Sequence, residues 1–230
     1  MTIGDVISNK VIIEGQELTV QSRKDGKEHR VYYFVPGTAL SCGDSSSFVL
    51  RTINPLMNPK KIPSQKKTDE LMYQHLLTSA IPVPQRFLFS DKGWVLEKMG
   101  SEIDLSKWKA AQNLDELSEL DTKILVFVKK ILTLNANGLH DPAIKKECVG
   151  NFCPGNVMLN RNNEPCVVDF ASRLKGVWNL YDSLENWSSG NVVIKQHLSS
   201  DFPEAIKDEL QAIATRTTQI LAAQSAKVPD

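Results

Sequence analysis

The 230-residue chain has few of the features that mark a cellular compartment or a class of partner. It carries only four cysteines and four histidines, without a Cys-x-x-Cys pair, and we therefore expect no zinc site. The cysteines are also too few for a disulfide scaffold, so reduced thiols in a cytoplasm are the expected state. Because 27 basic and 27 acidic residues cancel, the net charge indicates neither a nucleic acid nor a membrane surface as the partner.

Long apolar runs are absent as well. No stretch approaches the roughly 20 apolar residues that a membrane-spanning helix needs, so no membrane span is expected. The first residues, MTIGDVISNKVIIEG, lack the basic start and apolar run of a secretory signal peptide, which favours a cytoplasmic protein. A hydrophobic fraction of 41% is ordinary for a globular protein, and a chain of this length can form one large core or two lobes.

The first hundred residues favour β-strands. Apolar and polar residues alternate in short segments that end at Gly- or Pro-containing turns, a pattern typical of strands. The segment 85–100 is predicted to be a hairpin that turns at Asp91, Lys92 and Gly93. The other predicted strands are KVIIEG and QELTVQS on either side of Gly15, RVYYFV at 30–35 and SSFVLRTI at 46–53.

One helix is predicted among these strands, at 68–80. Thr68 is its predicted N-cap, acidic residues follow in the first turn, and Pro82 lies just beyond its end. The lysine-rich NPKKIPSQKK at 58–67 is interpreted as a solvated loop before this helix rather than as a binding patch.

After Gly100 the pattern becomes mainly helical. An apolar stripe with helical spacing and an amphipathic tail predict two long helices, and two short apolar runs lie between them. The predicted helices are 114–138 and 202–224, and the short runs are 156–159 and 165–170. A further segment, GVWNLYDSLENW at 176–187, is predicted to be a buried helix, with an exposed aromatic contact surface as the alternative.

The segment VGNFCPGNVMLNRNNEPCVVDFASR, at 149–173, carries the candidate site. Asn151 and Asn156 lie five residues apart, and Asp169, the first residue of Asp-Phe-Ala, follows thirteen residues later. This spacing resembles the catalytic loop and the metal-binding strand of the protein-kinase superfamily, in which an aspartate occupies the position of Asn151. The resemblance implies that Asn156 and Asp169 hold Mg²⁺ or Mn²⁺ against the phosphates of ATP.

The resemblance extends upstream. FVLR at 48–51 is similar to the strand that carries the kinase lysine, which places Arg51 at that position. Glu70, in the predicted helix, follows nineteen residues later and corresponds to the acidic partner of that lysine. The resemblance therefore implies a salt bridge between Arg51 and Glu70.

The nucleotide-binding residues are implied in the same way. Leu96 corresponds to the gatekeeper of a kinase, and the backbone from Glu97 to Met99 corresponds to the hinge that contacts adenine. Gly26 and Lys24 lie where the glycine-rich loop over the phosphates is expected.

The implied fold is a bilobal, kinase-like α+β fold. Residues 1–99 would form an N-lobe with a sheet and one helix, and 100–230 a shortened, mainly helical C-lobe. Only 61 residues follow Asp169, and no Ala-Pro-Glu motif is present. In size the chain is similar to the small effector kinases that bacteria deliver into host cells, and such a protein would act in the host cytosol.

Three departures from the kinase pattern affect catalysis. Asn151 replaces the catalytic aspartate, and an amide cannot take up the proton of an incoming hydroxyl group. Arg51 keeps the positive charge of the lysine but is larger and planar. In the nucleotide loop only Gly26 matches a glycine, because Lys24 and His29 occupy the other two positions.

The sequence leaves three functions open. The first is a pseudokinase that binds a protein partner and retains some binding of ATP and Mg²⁺. The second is an active atypical phosphotransferase that acts on a protein or small-molecule hydroxyl group, or transfers another part of ATP such as its nucleotidyl group. The third is an interaction module that binds no nucleotide.

Overall fold

The computed structural model of the chain describes residues 3–26, 29–141, 149–150, 152–169 and 174–225. The chain divides into two compact units, and the division falls within a helix. Unit 1 comprises Met1–Leu71 and Val83–Gly100, and unit 2 comprises Met72–Pro82 and Ser101–Asp230.

Unit 1 contains a six-stranded antiparallel sheet with the order β1-β2-β3-β6-β8-β7. Short strands β4 (Ala39–Leu40) and β5 (Gly43–Asp44) form a separate ribbon. The strands of the main sheet are β1 (Lys10–Ile13), β2 (Gln16–Asp25), β3 (His29–Phe34), β6 (Phe48–Ile53), β7 (Arg86–Ser90) and β8 (Gly93–Glu97).

The two faces of this sheet carry different residues, because side chains alternate along each strand. One face supplies the larger apolar cluster, which includes Phe34, Phe48 and Leu50. The opposite face carries a smaller cluster of Val49, Trp94 and Leu96, with Val31, Tyr33 and Ile53 packed against it.

The hairpin of β7 and β8 confirms the predicted turn at 91–93, since Ser90 pairs with Gly93. Gly93 has a φ of 153°, and a β-carbon at this position would lie 2.3 Å from the carbonyl oxygen of Arg51. Only glycine allows β6 and β8 to approach this closely.

Helix α1 (Ile62–Thr78) begins six residues before its predicted N-cap. Thr68 lies inside the helix, where its hydroxyl group donates to the carbonyl oxygen of Ser64 at 2.9 Å. The prediction was wrong because Pro63 was interpreted as part of a loop, whereas proline is tolerated in the first turn of a helix. The lysine-rich segment therefore forms a 3₁₀ turn at Pro59–Lys61 and the start of α1.

Unit 2 is mainly helical, as the sequence predicts. It contains a small antiparallel sheet with the order β11-β10-β9, from β9 (Ser101–Glu102), β10 (Val157–Leu159) and β11 (Pro165–Val167). Its helices are α2 (Ser106–Ala110), α3 (Glu119–His140), α4 (Val177–Ser188), α5 (Val192–Ser199) and α6 (Glu204–Ser225). The short helices α2 and α5 were not predicted.

Helix α3 starts later than predicted because Ser118 caps it. The Ser118 hydroxyl group accepts from the N–H of Asp121, and the Asp121 carboxylate accepts from the N–H of Ser118, which forms a capping box. Residues 114–116 form a separate 3₁₀ turn.

The core of unit 2 contains aromatic rings that pack at tilted angles. Trp187, on α4, is fully buried and lies 5.2 Å from the ring of Phe152 and 6.1 Å from that of Trp108. Trp178, on the same helix, is 50% exposed, so the prediction of a buried helix holds for Trp187 but is wrong for Trp178.

The chain is thus an α+β protein with a strand-rich first unit and a helical second unit, and this arrangement is consistent with a kinase-like fold. Within the described ranges, no helix combines the length and the apolar character needed to cross a membrane.

Candidate functional site

The hairpin of β10 and β11 determines where Asn156 and Asp169 lie in unit 2. Asn156 ends the 3₁₀ turn Pro154–Asn156 directly before β10, and Asp169 lies two residues after β11. The two strands are antiparallel, with Val157 opposite Val167. The N–H of Val168 also donates to the carbonyl oxygen of Asn156 at 2.9 Å. The backbone of Asn156 is therefore bonded to the residue just before Asp169.

The side chains of Asn156 and Asp169 have the chemistry that Mg²⁺ or Mn²⁺ requires. An amide oxygen and a carboxylate are hard oxygen ligands, and Mg²⁺ is commonly bound by one or two such groups together with water and phosphate oxygens. Asp169 is exposed to solvent, and Asn156 is half-buried. Among the described residues there is no group of three or more His, Cys, Asp or Glu side chains that could form a metal site by itself.

Asn151 and the Phe170-Ala171 part of the Asp-Phe-Ala segment lie outside the described residues, so the assignments made for them remain predictions. Val149, two residues before Asn151, and Phe152, directly after it, are described, and both are anchored by side chains. The buried Asn135 of α3 accepts from the N–H of Val149 at 2.9 Å and donates to its carbonyl oxygen at 2.8 Å. The indole N–H of Trp187 donates to the carbonyl oxygen of Phe152 at 3.1 Å.

Asn135 was not predicted from the sequence, although one signal for it was present. Val128, Ile131, Leu132 and Asn135 share one face of α3, and the first three are fully buried apolar residues. An amide on such a buried stripe needs buried hydrogen-bond partners. The partners of Asn135 are the backbone N–H and C=O of Val149, close to Asn151 in the chain.

In unit 1, Arg51 belongs to a buried chain of polar side chains. Its Nη2 lies 3.0 Å from Nδ1 of His29, and Nε2 of His29 lies 2.6 Å from the carboxylate of Asp69. Arg51, His29 and Asp69 are 6%, 7% and 2% exposed. Trp94 lies beside them, because its ring centroid is 6.0 Å both from Cζ of Arg51 and from the ring centroid of His29.

The geometry assigns the tautomer of His29. A guanidinium group is always protonated and only donates hydrogen bonds, so Nδ1 of His29 must accept from Nη2 of Arg51. The ring proton is therefore on Nε2, from which it is donated to Asp69. His29 is neutral in this arrangement and joins a cation to an anion.

Glu70, the predicted partner of Arg51, forms an ion pair with Arg86 of β7. Consecutive acids of α1 thus contact different strands, since Asp69 contacts His29 on β3. The ion pair predicted between Arg51 and Glu70 stays a prediction.

The predicted gatekeeper, Leu96, is buried on the smaller apolar face of the sheet. It pairs across the strands with Val49, which pairs in turn with Tyr33. Arg51 is opposite Val31 and Trp94 in the same ladders, so the predicted adenine and phosphate residues of unit 1 share one face.

The segment predicted to contact adenine has two of its amides already bonded. The N–H of Glu97 donates to the carbonyl oxygen of Gln85 at 2.8 Å, and that of Lys98 donates to the carbonyl oxygen of Ser47 at 3.0 Å. Met99 is half-buried. Neither the Glu97 nor the Lys98 amide is therefore available as a donor to a nucleotide base.

Gly26 lies directly after β2 and is bonded to the first residue of β3. Its N–H donates to the carbonyl oxygen of His29 at 2.8 Å, and its own carbonyl oxygen accepts from the amide of Asn54 at 2.6 Å. A β-carbon at Gly26 would lie 3.0 Å from the carbonyl oxygen of His29, which favours glycine here. Lys24 is exposed on β2, opposite Val31.

No protein-family model and no curated protein sequence matches the chain. Among solved structures, the chain is similar to the one described as a co-crystal structure of WbdD and the kinase inhibitor LY294002. The two are 16% identical, with a TM-score of 0.41 over 79% of this chain and 39% of the WbdD chain. The chain therefore spans well under half the length of that protein, and at this distance the likeness assigns it no activity, substrate or partner.

Proposed function

We propose that the chain is a kinase-like protein that binds ATP with Mg²⁺ or Mn²⁺, transfers phosphate slowly or not at all, and acts on a protein partner. The hydrogen bond between the N–H of Val168 and the carbonyl oxygen of Asn156 carries this proposal. It supports a metal site because it ties together the two backbone segments that bear Asn156 and Asp169.

The roles of these residues follow from their chemistry. Asn156 and Asp169 would hold the divalent ion, which supplies positive charge to the nucleotide phosphates.

Slow transfer follows from Asn151. An incoming hydroxyl group must lose its proton as its oxygen bonds to phosphorus, and a carboxylate at this position would accept that proton. The amide of Asn151 can only accept a hydrogen bond. Loss of such general-base help typically lowers a rate about 10²–10⁴-fold.

Calorimetric titration of the chain with ATP tests the binding step. We expect binding that needs Mg²⁺ or Mn²⁺ and that Asp169→Asn removes, because the substitution replaces one charged ligand oxygen by an amide. Asp208→Asn, which makes the same change on the exposed surface of α6, is the matched control and should bind as the unsubstituted chain does. Failure of ATP to bind at millimolar concentration would refute the proposal.

The second candidate is an active atypical phosphotransferase. The anchored backbone on both sides of Asn151 favours it, because Asn135 and Trp187 keep Val149 and Phe152 in place as a rigid catalytic loop would require. Positioning and electrostatics supply most of the rate of phosphoryl transfer, so a missing base is not by itself fatal.

Transfer of label from γ-labelled ATP separates the two candidates. If the chain as given transfers label and Asp169→Ala abolishes the transfer, the active phosphotransferase is correct. If only Asn151→Asp transfers label, Asn151 is the residue that disables the site. If neither form transfers label but both bind ATP, the protein works as a binding module.

Trp178 supports the proposed protein partner, since its half-exposed ring packs edge-to-face at 5.9 Å on Tyr181 and is typical of an aromatic contact residue. Trp178→Ala should reduce the yield of crosslinked complexes with the partner while lowering the free energy of unfolding by less than about 1 kcal/mol. Equal yields would remove Trp178 from the partner surface.

A further inference from the structure

A cleft of about 760 Å³ lies within unit 1, and none of the residues that line it is among those assigned to ATP. Its apolar lining consists of Val6, Val20 and Tyr32, which belong to or pack against the larger apolar cluster of the sheet. Leu96, the predicted gatekeeper, belongs to the smaller cluster on the opposite face. Small-molecule sites in proteins have volumes of about 300–1,000 Å³, so the cleft is large enough for a ligand of that size.

A β-bulge in β2 lies at this cleft. The pairing of β2 with β3 shifts between Val20 and Ser22, which makes Gln21 the extra residue of the bulge. The turn that contains Ser8 and Asn9 is bonded to the bulge, because the N–H of Val20 donates to the carbonyl oxygen of Asn9 at 2.8 Å. Both turn residues have a positive φ, of 50° and 61°. Bulges redirect side chains, and here the amide side chains of Asn9 and Gln21 line the cleft.

Two arginines that line the cleft share one carboxylate. Nε of Arg30 donates to one oxygen of Asp25 at 2.6 Å, and Nη2 of Arg23 lies 3.1 Å from the other oxygen. Nη1 of Arg30 also lies 3.5 Å from the hydroxyl oxygen of Tyr32. Each guanidinium group has five N–H donors, so several of these donors have no acceptor among the described residues.

The charges of this cluster favour a further anion. Asp25 compensates only one of the two guanidinium charges, and two cations held against one carboxylate repel each other. A second carboxylate completes the balance, and its two oxygens match the planar fork of a guanidinium group. A phosphate monoester carries about −1.5 to −2 charges at pH 7 and leaves an excess of negative charge. The charge balance therefore selects a carboxylate.

We propose that this cleft binds the carboxylate of an acylated amino acid with an apolar side chain, either as a free molecule or as the last residue of a peptide. Arg23 and Arg30 bind the carboxylate, and the apolar side chain of the ligand packs on the apolar lining of the cleft. The side-chain amides of Asn9 and Gln21 supply donors and acceptors for the acyl amide of the ligand. Binding here needs neither ATP nor a metal ion.

Titration of the full chain with N-acetyl-leucine and with N-acetyl-leucinamide tests this site, because the carboxylate of the first probe is a neutral amide in the second. We expect N-acetyl-leucine to bind with a Kd on the order of 1 mM, a value typical of so small a ligand. The amide should bind at least about tenfold more weakly, because it cannot form the charge-assisted hydrogen bonds. Equal binding of the two probes, or no binding of the acid at ten times that concentration, would overturn the proposal.

Substitution of the arginines tests which residues bind the carboxylate. Arg23→Gln and Arg30→Gln should each weaken the binding of N-acetyl-leucine about tenfold. Because Arg23 is half-exposed, its variant should fold even if the variant of the more buried Arg30 does not. Arg161→Gln makes the same change in the exposed turn between β10 and β11 and should leave the affinity unchanged. An equal loss in Arg161→Gln would show that the probe responds only to net charge, which would overturn the proposal.

Nitrogen-15 NMR of the unsubstituted chain locates the probe. The backbone amide signals of Gln21 and Ser22 should shift during the titration, because both residues belong to the bulge at the cleft. Unchanged signals of these two residues would place the probe elsewhere and overturn the proposal. Tighter binding of phenyl phosphate than of N-acetyl-leucine would also overturn it, because the site would then select a phosphate.

A longer probe distinguishes the two sources of the carboxylate. If acetyl-Ala-Ala-Leu with a free carboxylate binds more tightly than N-acetyl-leucine, the proposal holds and the ligand is the C-terminus of a peptide. If the longer probe binds equally well or more weakly, the proposal holds for a free acylated amino acid.

Discussion

The side chain of Asn135 and the backbone of Val149 form two hydrogen bonds with each other, one in each direction. Both residues are fully buried, and the pair fixes the chain just before Asn151 to the C-terminal part of α3. A helix residue fourteen positions upstream thus determines where the candidate catalytic loop begins.

Removal of this amide should destabilise the protein. Asn135→Ala removes both hydrogen bonds between this side chain and the buried backbone of Val149, which we expect to lower the free energy of unfolding by about 2–4 kcal/mol. Urea denaturation measures the change. Asn137→Ala, an exposed position on the same helix, is the control and should shift stability by no more than about 0.5 kcal/mol. Similar losses at both positions would show that the pair does not stabilise the fold.

The two tryptophans of α4 should respond in opposite ways. Trp187→Ala removes a fully buried ring and the hydrogen bond to Phe152, so we expect a loss of about 3–5 kcal/mol in the free energy of unfolding. Trp178→Ala removes a half-exposed ring and should cost less than about 1 kcal/mol. Chemical denaturation of both variants checks this, and comparable losses would place Trp178 in the core.

Gly93 should not tolerate a side chain. The β-carbon of Gly93→Ala would lie 2.3 Å from the carbonyl oxygen of Arg51, so β6 or β8 has to shift. We expect a loss of about 2–4 kcal/mol in the free energy of unfolding, measured in urea. Gly15→Ala also occupies a position of positive φ but has no atom within 4 Å of its β-carbon, and it should cost only about 1 kcal/mol. If Gly15→Ala costs as much, backbone strain rather than the clash explains the effect.

The stability of unit 2 should depend on pH through His197. Burial, and then the charge of Lys129, lower the pKa of His197 below its ordinary 6.5, although Asp201 opposes them. The unfolded chain therefore binds a proton near pH 6.5 while the native ring is still neutral, and the free energy of unfolding falls as the pH decreases from there. The fall ends once the native ring is protonated.

His197→Gln isolates this contribution. The variant should show a shallower decrease of stability between pH 7 and pH 5, measured by urea denaturation at several pH values. Asp201 does not complicate this window, because Lys129 lowers its pKa from an ordinary value of 3.8. Parallel curves for the two proteins would contradict the prediction.

Local sequence patterns predicted the strands, the tail helix and the 91–93 turn, because each depends on residues adjacent in the chain. The turn is an example, since Gly93 both begins β8 after the turn and allows β8 to approach β6. The start of α1 was missed for a local reason as well, because Pro63 fits the first turn of a helix as well as it fits a loop.

The polar chain around Arg51 could not be predicted in the same way. His29 and Asp69 lie forty residues apart, and their contact depends on the register of β3 and on the rotation of α1 about its axis. The kinase resemblance placed His29 at a glycine position of the nucleotide loop and placed Glu70 opposite Arg51. A shift of one residue on a helix turns the side chain by about 100°, so spacing alone could not predict that Asp69 contacts His29.

Substitution of Asp69 and of Glu70 tests which of the two acids contributes more to the free energy of unfolding. The Asp69 side chain is 3% exposed and accepts from both His29 and Gln65, whereas the Glu70 side chain is 33% exposed in its ion pair with Arg86. In Asp69→Asn the amide oxygen can accept only one of the two donors, and its NH₂ group opposes the other, so we expect a loss of about 2–4 kcal/mol. Glu70→Gln should cost less than about 1 kcal/mol, because solvent screens its ion pair and the amide can still accept from Arg86. Urea denaturation of the two single variants gives the order directly, and a larger loss for Glu70→Gln would contradict the prediction.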